Sequence, residues 1–126
     1  MVCVGGNYQL IDVAGRYLIT LTMPKANKEI QALHLRGHCA LLHPSAMMRS
    51  DAVRLIGNYH TTFSTATDMD LWLRLGEVGE VGEVGELGEL GELVNIDNVI
   101  LKYRLHDKST SERAGLAQRK RGLRAC

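Results

Sequence analysis

Residues 76–93 are six consecutive copies of a Gly-Glu-(Val/Leu) triplet, and this repeat limits what the chain around it can fold into. A period of three suits neither common secondary structure, because an α-helix turns every 3.6 residues and a strand alternates every two. On a helix the glutamates would circle the axis and leave no apolar face, and each interior glycine would cost about 1 kcal/mol. The pattern therefore predicts a low-complexity loop, and a folded helical extension is the structural alternative.

Upstream of the repeat, turn signals divide the chain into short strands and helices. Val2 to Val4 predicts the end of a strand, and Gly5-Gly6-Asn7 predicts the turn after it. The further predicted elements are, in order, a hairpin of residues 8–13 and 16–22, a helix from Pro24 to about Arg36 with Ile30, Leu33 and His34 on one face, a short strand at 39–42, and a helix at 51–56 capped by Ser50. This alternation of strands and helices predicts the α/β class.

Residues 68–75 predict the clearest helix of the chain, directly before the repeat. Thr67 suits the N-cap, and Asp70 stands three residues later, where a capping box places its acid. An apolar stripe that includes Trp72 recurs at helical spacing. After the repeat, residues 94–103 alternate between apolar and polar side chains, which predicts a strand.

The net charge of +1 conceals an asymmetry between the repeat and the rest of the chain. Outside the repeat, fifteen Lys and Arg residues face eight Asp and Glu residues, and this excess attracts anions. The three cysteines are widely spaced, which predicts reduced thiols and a cytoplasmic protein. Residues 112–126 form a basic tail that suits contact with a membrane surface, so the expected location is cytoplasmic or peripheral to a membrane. Nucleic acid is not expected as a partner.

Several short motifs occur in an order and spacing that, once the repeat is collapsed, resemble family 2 glycosyltransferases of the inverting GT-A type. The motifs are Val4-Gly5-Gly6, His43-Pro44-Ser45 with Met48-Arg49, Gly57-Asn58-Tyr59, the helix at 68–75, and Tyr103-Arg104-Leu105-His106. The resemblance is to the acceptor-binding part of these enzymes. It implies a partial GT-A (nucleotide-diphospho-sugar transferase) fold, with a mixed sheet flanked by helices and without the N-terminal nucleotide-binding half. The partial domain would cover residues 1–111, interrupted by the repeat, and would leave 112–126 as the tail.

The resemblance also implies a reaction and a catalytic base. A sugar would pass from a nucleotide-sugar donor to a hydroxyl of a carbohydrate or lipid-linked acceptor, and Asp68 would take the proton of that hydroxyl. Thr67 stands where the family has a Glu before this Asp. The sequence Asp68-Met69-Asp70 is not expected to bind a cation, because residues two apart on a helix point about 200° apart. A divalent cation, Mg²⁺ or Mn²⁺, is expected for the full-length family, and its ligands in this chain are unknown.

Five further residues are candidate contacts to the acceptor or the donor: His43, Asp70, Trp72, Arg104 and His106. Each also has a structural interpretation. Asp68 can stabilise a helix N-terminus, Trp72 on an apolar stripe can belong to the core, and His43 can be a packed histidine. We expect no sugar transfer by this sequence alone. The alternative function is a non-enzymatic interaction module, or a truncated fragment, that binds a partner chain or an anionic surface through its basic tail.

Overall fold

The computed structural model describes residues 1–62, 67–80 and 91–106, with the backbone alone at 78–80. In chain order the elements are β1 (Cys3–Ile11), β2 (Tyr17–Leu21), α1 (Asn27–Leu35), a 3₁₀ turn (His43–Ser45), β3 (Met47–Met48), α2 (Ser50–Leu55), α3 (Thr67–Glu80) and β4 (Leu93–Arg104). The predicted α/β class is therefore confirmed.

Strand β1 is the centre of a mixed four-stranded sheet. β4 runs parallel to it along its whole length, with Cys3 opposite Leu93 at one end and Ile11 opposite Arg104 at the other. Because β4 occupies one edge of β1, the opposite edge is shared by two antiparallel strands. β3 pairs with the start of β1, and β2 pairs with its last four residues.

The turn predicted at Gly5-Gly6-Asn7 is wrong, because β1 continues through these residues as a strand. A Cβ on Gly5 would lie 2.6 Å from Oδ1 of Asn95, and a Cβ on Gly6 would lie 2.8 Å from Cδ1 of Ile100. The glycines therefore allow side chains of β4 to pass close to the β1 backbone. The register between the two strands also shifts just after Gly6, as at a β-bulge.

The hairpin of β1 and β2 is confirmed, and its turn is held by Asp12. The Asp12 carboxylate accepts hydrogen bonds from the backbone N–H of Arg16 at 2.8 Å and from its Nε at 2.7 Å. Gly15 adopts a φ of +84°, which favours glycine. The local sequence was sufficient here because the hydrogen bonds that close the turn join residues four apart.

Helix boundaries agree less closely with the sequence. α1 begins at Asn27 rather than Pro24, and it ends as predicted before Gly37, whose φ is +75°. Ser50 is the first helical residue of α2 and not its cap. The backbone N–H of Ala52, which has no partner within the first turn of the helix, donates instead to the carboxylate of Asp51 at 2.9 Å.

The strand predicted at 39–42 is also wrong, because these residues form a connection without strand structure, in which Ala40, Leu41 and Leu42 are buried. The amide of Asn95 donates to the carbonyl of Ala40 at 2.8 Å and to that of Pro24 at 2.7 Å. A side chain of β4 therefore satisfies a buried carbonyl that a strand would have bonded to a neighbouring strand. The sequence of 39–42 does not contain that information.

α3 continues beyond the predicted helix as far as Glu80, so the first part of the repeat is helical, as the structural alternative proposed. Gly76 is buried against α1, and a Cβ there would lie 3.1 Å from Cδ of Gln31. Residues 81–90 lie outside the described part of the chain, and β4 begins at Leu93. The helices in the described part of the chain are all too short or too polar to span a lipid bilayer.

One hydrophobic core joins β1, α1, α2, α3 and β4. Its fully buried members are Val2, Cys3, Ile30, Ala40, Leu41, Ala52, Leu71, Trp72, Leu75 and Leu93. Cys3 is a free thiol, and burial raises its pKa to about 12. Cys39 is disulfide-bonded, which corrects the expectation of three reduced cysteines.

Candidate functional site

Asp68 lies in the first turn of α3, where the sequence predicts it. Thr67 is already helical and therefore does not occupy the predicted N-cap position. The Asp68 carboxylate is partly buried and accepts the backbone N–H of Met69 at 3.0 Å. One carboxylate oxygen is thus occupied by the helix N-terminus, and Oδ2 is not used in that bond.

Three ring systems meet beside the start of α3. Nε2 of His43 lies 2.7 Å from the hydroxyl of Tyr59, and the two rings are perpendicular with centroids 5.8 Å apart. The ring of His43 also contacts that of Trp72, with the two centroids 5.8 Å apart. Asp68 is one helical turn before Trp72 and therefore shares its side of α3. We call these four residues the His43 cluster.

Trp72 supports this cluster from inside the core. None of its surface is exposed, so a stacking contact between its ring and a sugar would require the ring to become exposed. Its Nε1 has no hydrogen-bond partner among the described residues. In this structure Trp72 therefore positions the His43 ring, and His43 and Tyr59 provide the polar atoms.

The charge on Asp68 affects Tyr59. Burial is the main cause that raises the pKa of the Tyr59 phenol, and the negative charge of Asp68 raises it further. The phenol therefore remains protonated at neutral pH and can donate a hydrogen bond. The direction of this effect is what a carboxylate close to the phenol produces.

Asp70 has a different role from the predicted capping box. Its Oδ2 accepts two hydrogen bonds from Arg74, at 3.0 and 2.7 Å, and lies 3.3 Å from Nδ1 of His60. Arg74 also donates to the carbonyls of Ile56 and Asn58, at 2.7 and 2.8 Å. The guanidinium of Arg74, one turn later, thus binds the Asp70 carboxylate in place of the predicted capping-box contact. The same guanidinium connects the end of α2 to α3.

Replacing Arg74 with Met is expected to lower the free energy of unfolding by about 2 kcal/mol, because two carbonyls and a partly buried carboxylate lose a charged donor. Arg74→Lys should recover less than half of the loss, since an ammonium lacks the planar fork. Urea denaturation measures both. The control is Arg54→Met, at an exposed position on α2; an equal loss there would remove the special role of Arg74.

Arg104 and His106 do not join the His43 cluster. Nη1 of Arg104 donates to the carbonyls of Asp12 and Val13, at 3.2 and 2.8 Å, beyond the C-terminal end of β1. The 3₁₀ turn of His43 packs instead beside Gly5, and the six residue steps along β1 from Gly5 to Ile11 span about 20 Å. His106 is exposed just after β4. The structure therefore separates Arg104 and His106 from the His43 cluster.

The described residues contain no group of three His, Cys, Asp or Glu side chains that could hold a metal ion. Asp70 is engaged by Arg74, so it does not join Asp68 around a cation. The divalent cation expected for the full-length family stays a prediction.

Tyr59 is the residue of this site whose role the sequence did not indicate. Gly57 and Asn58 both adopt positive φ, +85° and +62°, and this reversal after α2 returns Tyr59 to the 3₁₀ turn. A Gly-Asn pair directly before an aromatic residue was the available signal, because these two residue types tolerate the left-handed region.

A comparison with known proteins finds a glycosyltransferase. The O-antigen biosynthesis glycosyltransferase WbnJ of Escherichia coli is 32% identical to this chain over 111 residues, which is 88% of the chain. The chain spans only 39% of the length of WbnJ. No protein-family model matches the chain. The sequence is therefore glycosyltransferase-like over most of its length.

Proposed function

We propose that this chain is the acceptor-side part of an inverting glycosyltransferase of family 2 and the GT-A type, with Asp68 as its general base. The observation that carries the proposal is the position of Asp68, partly buried in the first turn of α3 and on the side of the helix that faces His43 and Tyr59. The similarity to WbnJ over 88% of the chain supports the same class of reaction.

The reaction needs one proton to leave the acceptor. As the acceptor oxygen attacks the anomeric carbon of the donor, its proton passes to the Asp68 carboxylate. The bond between that carbon and the nucleotide diphosphate breaks, its electron pair leaves with the diphosphate, and the configuration inverts. In this scheme His43 and Tyr59 lie beside the acceptor, and Trp72 packs against the ring of His43.

The donor site and the cation belong to the same proposal. The chain spans 39% of WbnJ, and the nucleotide sugar and its Mg²⁺ or Mn²⁺ would be bound mainly by the remaining length of such a protein. The purified chain should therefore show no sugar transfer and no shift of its melting temperature with UDP and Mn²⁺. Contact of residues 112–126 with a membrane stays a prediction, because the tail lies outside the described residues. A cytoplasmic location also stays a prediction, and the disulfide of Cys39 removes the reduced thiols from its support.

A chimera tests the role of Asp68. Residues of this chain would replace the matching 111-residue segment of WbnJ, and glycosyl transfer would be measured. Asp68→Asn should lower kcat by about 100-fold or more, the usual contribution of a general base. Asp97→Asn, an exposed carboxylate on β4, is the matched control. Full activity in the Asp68→Asn chimera would rule out Asp68 as the general base. Sugar transfer by the purified chain alone would contradict the proposal that the chain needs a separate donor-binding half.

A further inference from the structure

His43 is held in place from three sides. Within its 3₁₀ turn, the hydroxyl of Ser45 donates to the carbonyl of Leu42 at 2.7 Å, and the backbone N–H of Ala46 donates to the carbonyl of His43 at 3.0 Å. Its ring lies against buried Trp72. The Nε2 atom of His43 therefore has a defined position, and that atom lies 2.7 Å from the Tyr59 hydroxyl.

Tyr59 is connected to the same helix that carries Asp68. The carbonyl of Asn58, the residue before it, accepts a hydrogen bond from Arg74 of α3 at 2.8 Å. His43 then fixes the other end of the side chain. Tyr59 nevertheless keeps 39% of its surface exposed, so a ligand can reach it. The phenol is both positioned and accessible beside α3.

The hydrogen bond to His43 leaves the Tyr59 oxygen able to form another. If Nε2 carries a proton and donates it, the phenol O–H is free to donate to a ligand. If the phenol donates to Nε2, its lone pairs remain free to accept. A sugar hydroxyl both donates and accepts, so it satisfies the tyrosine in either arrangement, whereas a group that only donates or only accepts satisfies one.

We propose that Tyr59 and His43 form an acceptor subsite, in which the Tyr59 hydroxyl binds one hydroxyl of the acceptor sugar while the attacking hydroxyl faces Asp68. Tyr59 is the binding residue, and His43 is a positioning residue that acts through it. The proposal rests on the function proposed above and names the ligand of that site: a pyranose bound through two of its hydroxyl groups, one at each end of the His43 cluster.

Binding of a simple sugar to the isotope-labelled chain tests the subsite by NMR. Methyl β-D-galactopyranoside and methyl β-D-glucopyranoside are the probes, added up to about 100 mM because contacts of this size give millimolar affinity. We expect shifts in the amide signals of Asp68 and Met69. Tyr59→Phe, which removes only the hydroxyl, should weaken binding about fivefold, the factor of one neutral hydrogen bond.

Two further variants separate a binding role from a structural one. His43→Phe keeps an aromatic ring against Trp72 but removes Nε2, so it should weaken binding as Tyr59→Phe does, and the double variant should be no weaker than either single one. Tyr17→Phe is the matched control, because Tyr17 is an exposed tyrosine whose hydroxyl lies 3.1 Å from Thr20 Oγ1 on β2. It should bind like the wild type, and all variants should keep their melting temperature.

The outcomes distinguish this proposal from the function on which it rests. Equal binding by the Tyr59→Phe variant and the wild type would overturn the subsite and leave the Asp68 base intact. Absence of sugar-induced shifts at Asp68 and Met69 in the wild type would also overturn the subsite. The chimera assay would then decide separately whether Asp68 is a base. Additive losses in the double variant would remove His43 from the proposal and keep Tyr59.

Discussion

Replacing Trp72 with Ala is expected to lower the free energy of unfolding by about 3–5 kcal/mol, the range for truncating a large aromatic side chain in a core. Trp72 is fully buried within the cluster that joins α3 to β1 and β4. The substitution would leave a cavity there and would remove the support of the His43 ring. Because domains of this size are stable by only about 5–15 kcal/mol, the variant should be close to unfolded at 37 °C.

Urea denaturation followed by far-ultraviolet circular dichroism measures this effect, since the variant lacks the single tryptophan needed for fluorescence. Trp72→Phe is the informative control. Its ring fills much of the same space, and the Nε1 atom that it removes has no hydrogen-bond partner among the described residues. We expect it to lose less than half as much stability as the alanine variant. Equal losses of stability in the two variants would show that the indole nitrogen forms a stabilising hydrogen bond, because both variants remove it.

Acid is expected to destabilise the protein between about pH 6.5 and pH 4 through His34. This side chain is buried on α1, and neither ring nitrogen has a hydrogen-bond partner in the described structure. Burial lowers the pKa of His34 from 6.5 to about 4. As the pH falls below 6.5, His34 becomes protonated in the unfolded chain but stays neutral in the folded chain. The free energy of unfolding therefore decreases until the pH reaches about 4, where the folded chain also binds the proton. The full effect is about 3 kcal/mol.

The variant His34→Leu isolates this contribution. Urea denaturation at pH 7.5 and pH 4.5 should show a loss of about 2–3 kcal/mol in the wild type that is mostly absent in His34→Leu. Carboxylates with lowered pKa values, such as Asp12 and Asp97, lose their contribution at lower pH and are common to both proteins. His106→Gln, at an exposed histidine, is the control and should behave like the wild type. The same pH dependence in His34→Leu would show that another group is responsible.

The candidate site was predicted from the sequence only in part. Asp68 and His43 were singled out, and the structure brings them to the same side of α3 through Trp72. The resemblance implies that Arg104 also contacts the acceptor or the donor, but its register opposite Ile11 puts it at the far end of β1. Tyr59 had no predicted role, because its contact with His43 joins residues sixteen apart.

The sequence by itself determined the elements whose causes are local: the hairpin closed by Asp12 and Gly15, the end of α1 before Gly37, and the apolar stripe of α3. Only the tertiary structure decided that Gly5 and Gly6 lie within a strand, because the reason is the close approach of Asn95 and Ile100 from β4. The same holds for the His43 cluster. Contacts within a turn or a helix are encoded by neighbouring residues, whereas the packing of one element on another depends on side chains distant in the chain.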